Sequence, residues 1–176
     1  TAYEIGVRLV GSEMCIRDRN NLYNKLVELS RNIFFYKKLL LKDDFETRIM
    51  LIFFHFSIIL LRFKKKSKKK FPQSYFDNIF LNIEYHIREL GYGDIAVNKK
   101  MKMLNKIFYD ILLKIDSSRN DKFLFNEKLF IKLLTLNTEK KPEIVTKLSN
   151  YFNSFYDFCF ELDDDIMLKG QINFKN

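Results

Sequence analysis

The sequence predicts an all-α protein, a single domain in which five to six helices pack as an irregular bundle. Three observations carry this. Apolar residues recur at spacings of three and four along most of the chain, the period of a helix with one buried face. Gly occurs 5 times and Pro 2 times in 176 residues, so the breakers that tight turns need are scarce. Apolar residues make up 47% of the chain, enough for one sizeable core and too many for a disordered tail.

Taken in order, residues 1–19 are expected to lie outside the domain, as a non-native segment or a flexible arm. The string VGSEMCIRDR resembles translated sequencing-adaptor read-through, and the chain does not begin with Met. The domain is expected to run over 20–163. From Asn20 to about Leu41 one helix is predicted, with Leu22, Leu26, Leu29, Ile33 and Tyr36 on its buried stripe. Asp43 or Asp44 then offers a carboxylate to the free N–H groups of a second helix. That helix contains Ile49–Leu61, 13 residues that are apolar except for His55 and Ser57. Crossing a bilayer takes ~20 apolar residues, and Arg48 and Arg62 bound this run, so a central buried helix is the expectation.

Phe71-Pro72 closes the lysine run that follows. Residues 73–90 form the clearest amphipathic helix, with Phe76, Ile79, Phe80, Ile83, Ile87 and Leu90 on one stripe. Gly91 suits the left-handed residue that ends a helix. Asn98 is expected to cap a helix over about 99–116, with Lys99, Lys102, Lys106 and Asp110 opposite its apolar face. Ser117–Asp121 is a polar break, Phe123–Leu136 another apolar helical run, and Pro142 opens a last helix over about 142–162. Residues 164–176 are expected to form a polar tail that frays.

Net charge is +9, and its placement matters more than its sum. The run Lys64, Lys65, Lys66, Ser67, Lys68, Lys69, Lys70 alone carries six positive charges. Residues 1–19 are neutral, three Arg against Glu4, Glu13 and Asp18, so nine less six leaves +3 for everything else. A nearly neutral domain with one basic patch fits an anionic membrane surface, RNA, an acidic partner, or a solvated loop with no partner. Enrichment in Lys, Asn, Ile and Phe also follows from AT-rich coding sequence, so composition by itself does not argue for nucleic acid.

No catalytic chemistry is legible. Two Cys and two His supply no metal or redox spacing and no disulfide framework, and a reducing compartment is expected. His55 sits inside an apolar run and reads as a satisfied core histidine whose carbonyl or carboxylate partner sets its tautomer. Gly91-Tyr92-Gly93-Asp94 follows a helix rather than a strand and lacks a third Gly, so it reads as a tight helix connection and not a phosphate loop. Asp163, Asp164 and Asp165 read as a solvated end rather than a cation site.

The stretch Phe76–Asp110 resembles the ubiquinol–cytochrome c chaperone family. The matching residues are Phe76, Asp77, Phe80, Arg88, Glu89, Gly91, Gly93, Asp94, Val97, Lys99, Lys100, Lys102, Met103, Phe108 and Tyr109. Leu22-Tyr23, Arg31, Tyr36, Arg48 and His55 look like upstream counterparts. Departures stand at Thr47, Asn82, Glu84, Ile107 and Asp110-Ile111. The resemblance spans roughly 22–136. It implies a helical, cofactor-free, non-catalytic assembly factor that holds newly made cytochrome b during biogenesis of respiratory complex III. It implies work at the cytoplasmic face of the bacterial inner membrane or at the matrix face of the mitochondrial one. A second assembly factor and the ribosome are further implied partners, and no specific DNA binding is expected.

Two surfaces follow as candidates. Asp77, Glu84, Arg88, Glu89, Asp94 and Lys100 are the expected client-binding set, the competing reading being a salt-bridge network that fixes the 91–97 connection. Lys64, Lys65, Lys66, Lys68, Lys69 and Lys70 are the expected membrane or partner patch. The alternative to a chaperone is an RNA- or ribosome-associated basic helical protein, using its aromatic residues as stacking platforms.

Overall fold

In the computed structural model the described residues are 20–116, 126–134 and 141–175. They form α1 (20–30), a π-helical turn (Phe34–Lys38), α2 (Phe45–Lys66), α3 (Gln73–Glu89), α4 (Asp94–Asp116), α5 (Glu127–Leu133), α6 (Lys141–Glu161) and the short α7 (Asp164–Leu168). No strand occurs among the described residues. The all-α expectation holds.

The bundle is organised around α2. Asp44 caps it as predicted, its Oδ1 accepting the Thr47 N–H at 2.8 Å. Residues Ile49–Ile59 are all buried, which an apolar run without a polar face requires. α4 packs on one side and α6 on the other. Phe53 and Phe56 meet Phe108 of α4 at ring-centre distances of 5.1 and 5.4 Å, and Phe54 stacks on Phe130 of α5 at 3.8 Å. Fully burying one such ring is worth about 1.5–3 kcal/mol, so this aromatic seam is the main source of cohesion.

His55 is fully buried between α2 and α6. A carbonyl oxygen can only accept, so its Nδ1–H donates to Leu51 O at 2.7 Å. The neutral ring's Nε2 then accepts from the Tyr151 hydroxyl at 2.9 Å. Burial pushes the His55 pKa down to about 4 and raises that of Tyr151. The core-histidine reading is therefore right, with a carbonyl as the partner that sets the tautomer.

Four expectations are corrected. The single helix over 20–41 breaks after Ser30, whose hydroxyl turns back to Val27 O at 2.7 Å, and Asn32 Oδ1 accepts the Phe34 N–H to restart the chain as a π turn. The added residues shift the phase, so Phe35 enters the core while Ile33 stays exposed. α4 begins at Asp94, not after Asn98, because the Gly93 carbonyl already accepts the Val97 N–H at 3.0 Å. α5 is shorter than the 123–136 run: Asn126 caps it through the Leu129 N–H, and it ends at Leu133. The polar break at 117–121 lies outside the described residues.

The segment after Asp163 packs instead of fraying. Met167 and Ile172 are buried, and Phe174 meets Tyr151 and Phe155 edge-on at 5.4 and 5.3 Å. Gly170 makes this return possible. Its φ is +71°, and a Cβ there would stand 2.5 Å from the Asn21 carbonyl oxygen. Sparse apolar residues in a polar segment carry no periodic signal, which is why the sequence hides this contact.

Candidate functional site

The α3–α4 connection brings Glu84, Arg88, Glu89, Asp94 and Lys100 of the expected client-binding set toward one end of the bundle and leaves Asp77 near the other end of α3. Gly91 ends α3 in the left-handed region at φ +89° and donates to Arg88 O at 2.9 Å. Ile79, Ile83 and Ile87 anchor α3 to the core, as does Val97 for α4. At 100° per residue Asp77, Leu81, Glu84, Tyr85 and Arg88 then share an outward arc of about 100°. The inner stripe buries apolar area, and this outer one presents alternating charge and apolar bulk.

Arg88 is the hinge of the polar set. Its Nε and Nη2 donate to Glu84 Oε1 at 3.1 and 2.8 Å, and its Nη1 donates to Asp94 Oδ1. One guanidinium thus ties the last turn of α3 to the first turn of α4. Both carboxylates raise the Arg88 pKa, Asp94 most. The remaining members stand apart from this clamp. Asp77 accepts from Gln73 Nε2 at 2.7 Å, three turns away along α3. Lys100 places its ammonium 4.5 Å from the centre of the Tyr92 ring. Glu89 lies 3.9 Å from His86 Nε2, and His86 Nδ1 is 2.7 Å from the Tyr23 hydroxyl of α1. Burial pushes the Tyr23 pKa up to about 12, so it remains a donor at neutral pH.

Charge reading missed the apolar half of this end. Leu81, Tyr85, Leu90, Tyr92, Ile95 and Met103 are all exposed, Ile95 by 88%. Large apolar side chains clustered around a polar clamp mark an interaction surface more strongly than the same residues scattered singly. Leu90 was expected on the buried stripe of α3, but the helix ends at Glu89 and the turn carries Leu90 outward. Tyr92 sits in the short connection and Ile95 in the first turn of α4, and only the tertiary structure leaves both exposed.

The lysine run divides into two parts. Lys64, Lys65 and Lys66 form the last turn of α2, where positive charge complements the carbonyl end of the helix dipole. Ser67 ends the helix, and Lys68, Lys69 and Lys70 lie exposed in the loop to α3. Lys66 Nζ donates to Phe160 O, and Ser67 Oγ and Arg62 Nη1 both donate to Asp164. Arg62 Nη2 also reaches Leu162 O, so this end of α2 is pinned to the α6–α7 junction. Asp164 is therefore a structural anchor and not part of a solvated acidic end. Among the described residues, no group of three or more His, Cys, Asp or Glu is placed to hold a metal ion. Cys159 is buried, and burial raises its thiol pKa.

An all-helical bundle that exposes apolar and charged side chains together at one end has the character of a binding protein. The chain belongs to the ubiquinol–cytochrome c chaperone family, whose model matches residues 37–174. The match takes in α6, α7 and the terminal segment as well as the α3–α4 region. The crystal structure of the Cbp3 homolog from Brucella abortus is similar in fold, with a TM-score of 0.70 at 21% identity over 100% of this chain and 97% of that one. No curated protein matches the chain. Family membership assigns a chaperone role in complex III assembly.

Proposed function

We propose that this protein is a non-catalytic assembly factor that holds newly made cytochrome b, and that the α3–α4 end is where it does so. The observation that carries the reading is the coincidence, around the α3–α4 connection, of the family-matching residues Arg88, Glu89 and Asp94 with the exposed apolar side chains Tyr85, Leu90, Tyr92 and Ile95. A membrane subunit that has not met its partners presents apolar surface with few charges. A docking face for it needs apolar contact area for affinity and fixed charges for register. Arg88 holds the two helices at a set angle, so the apolar residues stand preorganised.

No helix among the described residues is long and apolar enough to cross a membrane. The proposed role, on a membrane subunit as client, would have the domain work beside the bilayer, on the cytoplasmic face of a bacterial inner membrane or the matrix face of a mitochondrial one. A second assembly factor and the ribosome belong to the same reading. Stacking of RNA on the phenylalanines draws no support from the packing. Every described Phe is buried in the core or packed against it.

The test is site-specific photo-crosslinking in cells from Tyr92 and, as a control, from exposed Thr146 on α6. Cytochrome b is expected among the adducts from position 92 and absent from those at 146. Ribosomal RNA or unrelated proteins at 92, without cytochrome b, would sink the client assignment.

A further inference from the structure

Beside the lysine loop, far along α4 from the client end, α2 and α4 leave an open apolar groove of about 310 Å³. Leu60, Leu61, Tyr109, Leu112, Leu113 and Ile115 line it, and Lys64 stands on its rim. Leu60 and Lys64 also belong to the neighbouring depression that Lys68, Lys69, Lys70 and Phe71 enclose, so apolar groove and basic loop form one continuous surface. Leu113 is 74% exposed and Tyr109 is half exposed, with no described segment over them.

The outer face of α4 extends this surface. At 100° per residue Ile95, Lys99, Lys102, Lys106, Tyr109 and Leu113 fall within an arc of about 80°. Lys99, Lys102 and Lys106 are exposed. Of the two carboxylates that fall just outside the stripe's edges, Asp110 and Asp116, Asp110 is engaged by Lys114 at 2.6 Å. A tyrosine and a leucine beside clustered lysines is the composition of a surface that lies on lipid. The apolar tip enters the acyl boundary, the phenol sits at headgroup depth, and the ammonium groups meet phosphate.

We propose that this end of the bundle docks on an anionic phospholipid bilayer, with Leu113 and Tyr109 inserted at the groove and Lys68, Lys69 and Lys70 on the headgroups. Charge complementarity selects the occupant: an apolar peptide would use the groove but not the lysines, and a free anion would use the lysines but not the groove. The loop lysines carry the weight, because Lys66 is committed to the bundle through Phe160 O. Leu113 and Ile95 lie eighteen residues apart on one helix, about 27 Å at 1.5 Å per residue. α4 would thus run along the bilayer from this contact toward the client end. The inference stands independently of which client is bound.

The sequence contains no Trp, so Leu113→Trp makes a single reporter in the full chain. Its emission is expected to shift to the blue and to become shielded from aqueous iodide on adding phosphatidylcholine vesicles that contain phosphatidylglycerol, and not with phosphatidylcholine alone. A Trp placed at Thr146 should not respond. Replacing Lys68, Lys69 and Lys70 together with Gln is expected to weaken vesicle binding about 100-fold, in a salt-sensitive way. Leu113→Asp, at an exposed position, should weaken it with helical content unchanged. An unshifted Leu113→Trp signal at saturating vesicle, equal shifts at both reporter positions, or lysine replacements that abolish binding to an RNA oligomer but not to vesicles would each overturn the proposal.

Discussion

Two arginines each clasp a helix junction in this molecule, under opposite solvent conditions. Arg62 pins the end of α2 to the α6–α7 junction with its side chain only 3% exposed, whereas Arg88 pins α3 to α4 with its side chain 39% exposed. Both bind Asp, and both take a second partner, a backbone carbonyl for Arg62 and a second carboxylate for Arg88. Removing the Asp from the buried pair leaves a charge in low dielectric with only the Leu162 carbonyl and the more distant Asp163 to balance it. Removing one from the exposed pair hands the charge to water. The same two residue types therefore serve as a structural fastener in one place and as the frame of a working surface in the other.

The sharpest way to break this comparison is Asp164→Ala. It strands Arg62 and removes the acceptor of Ser67, and about 4 kcal/mol of folding stability should be lost in a urea titration. A loss below ~1 kcal/mol would mean that water enters the junction and that the two clasps do not differ.

The histidines repeat the contrast. His55 has a folded-state pKa near 4 against an ordinary 6.5, so between those values the unfolded chain binds a proton that the folded one refuses. Stability is then fully present above about pH 6.5 and falls by about 1.4 kcal/mol per unit as pH drops toward 4, about 3 kcal/mol in all. Denaturation midpoints measured at several pH values should show this slope. His55→Gln should flatten it.

Gly170→Ala tests the packed terminal segment. The positive φ and the close Asn21 carbonyl predict a loss of about 2 kcal/mol, read as a lower Tm and as faster amide exchange at Ile172. An unchanged Tm would show that the segment contributes nothing to the fold.

The smallest stability effect belongs to Arg88→Gln, with Tm expected within about 2 °C of the wild type. Crosslinking to the client should nevertheless fall, because the angle between α3 and α4 is no longer held. A large Tm drop would make this clasp a fastener like the other and erase the distinction.

Much of this was legible along the chain. The apolar stripe of α3 up to Ile87, the Asp44 cap, the Gly91 stop and the burial of Ile49–Ile59 all depend on neighbours within a few residues, and each is found. The polar half of the proposed client end was legible for the same reason, since Glu84 and Arg88 are one turn apart. Its apolar half was not. Leu90 looks like a core residue by period, and only the position of the turn decides that it faces water. The break at Arg31–Asn32 was hidden too, because one stripe of apolar residues serves a continuous helix and a phase-shifted one alike.

By itself, then, the sequence determined the helical class, the bounds of α3 and α6 to within a residue, which face of α3 is buried, and the family. These follow from local periodicity, capping and short-range motifs. Only the tertiary structure decided that Arg62 meets Asp164 across 102 residues, that His55 meets Tyr151 across 96, that Gly170 lies on α1, and that an apolar groove opens beside the lysine loop. Those contacts depend on how helices cross once their buried faces are matched. Many remote pairs could satisfy the same local pattern, and only close packing of the whole core selects among them.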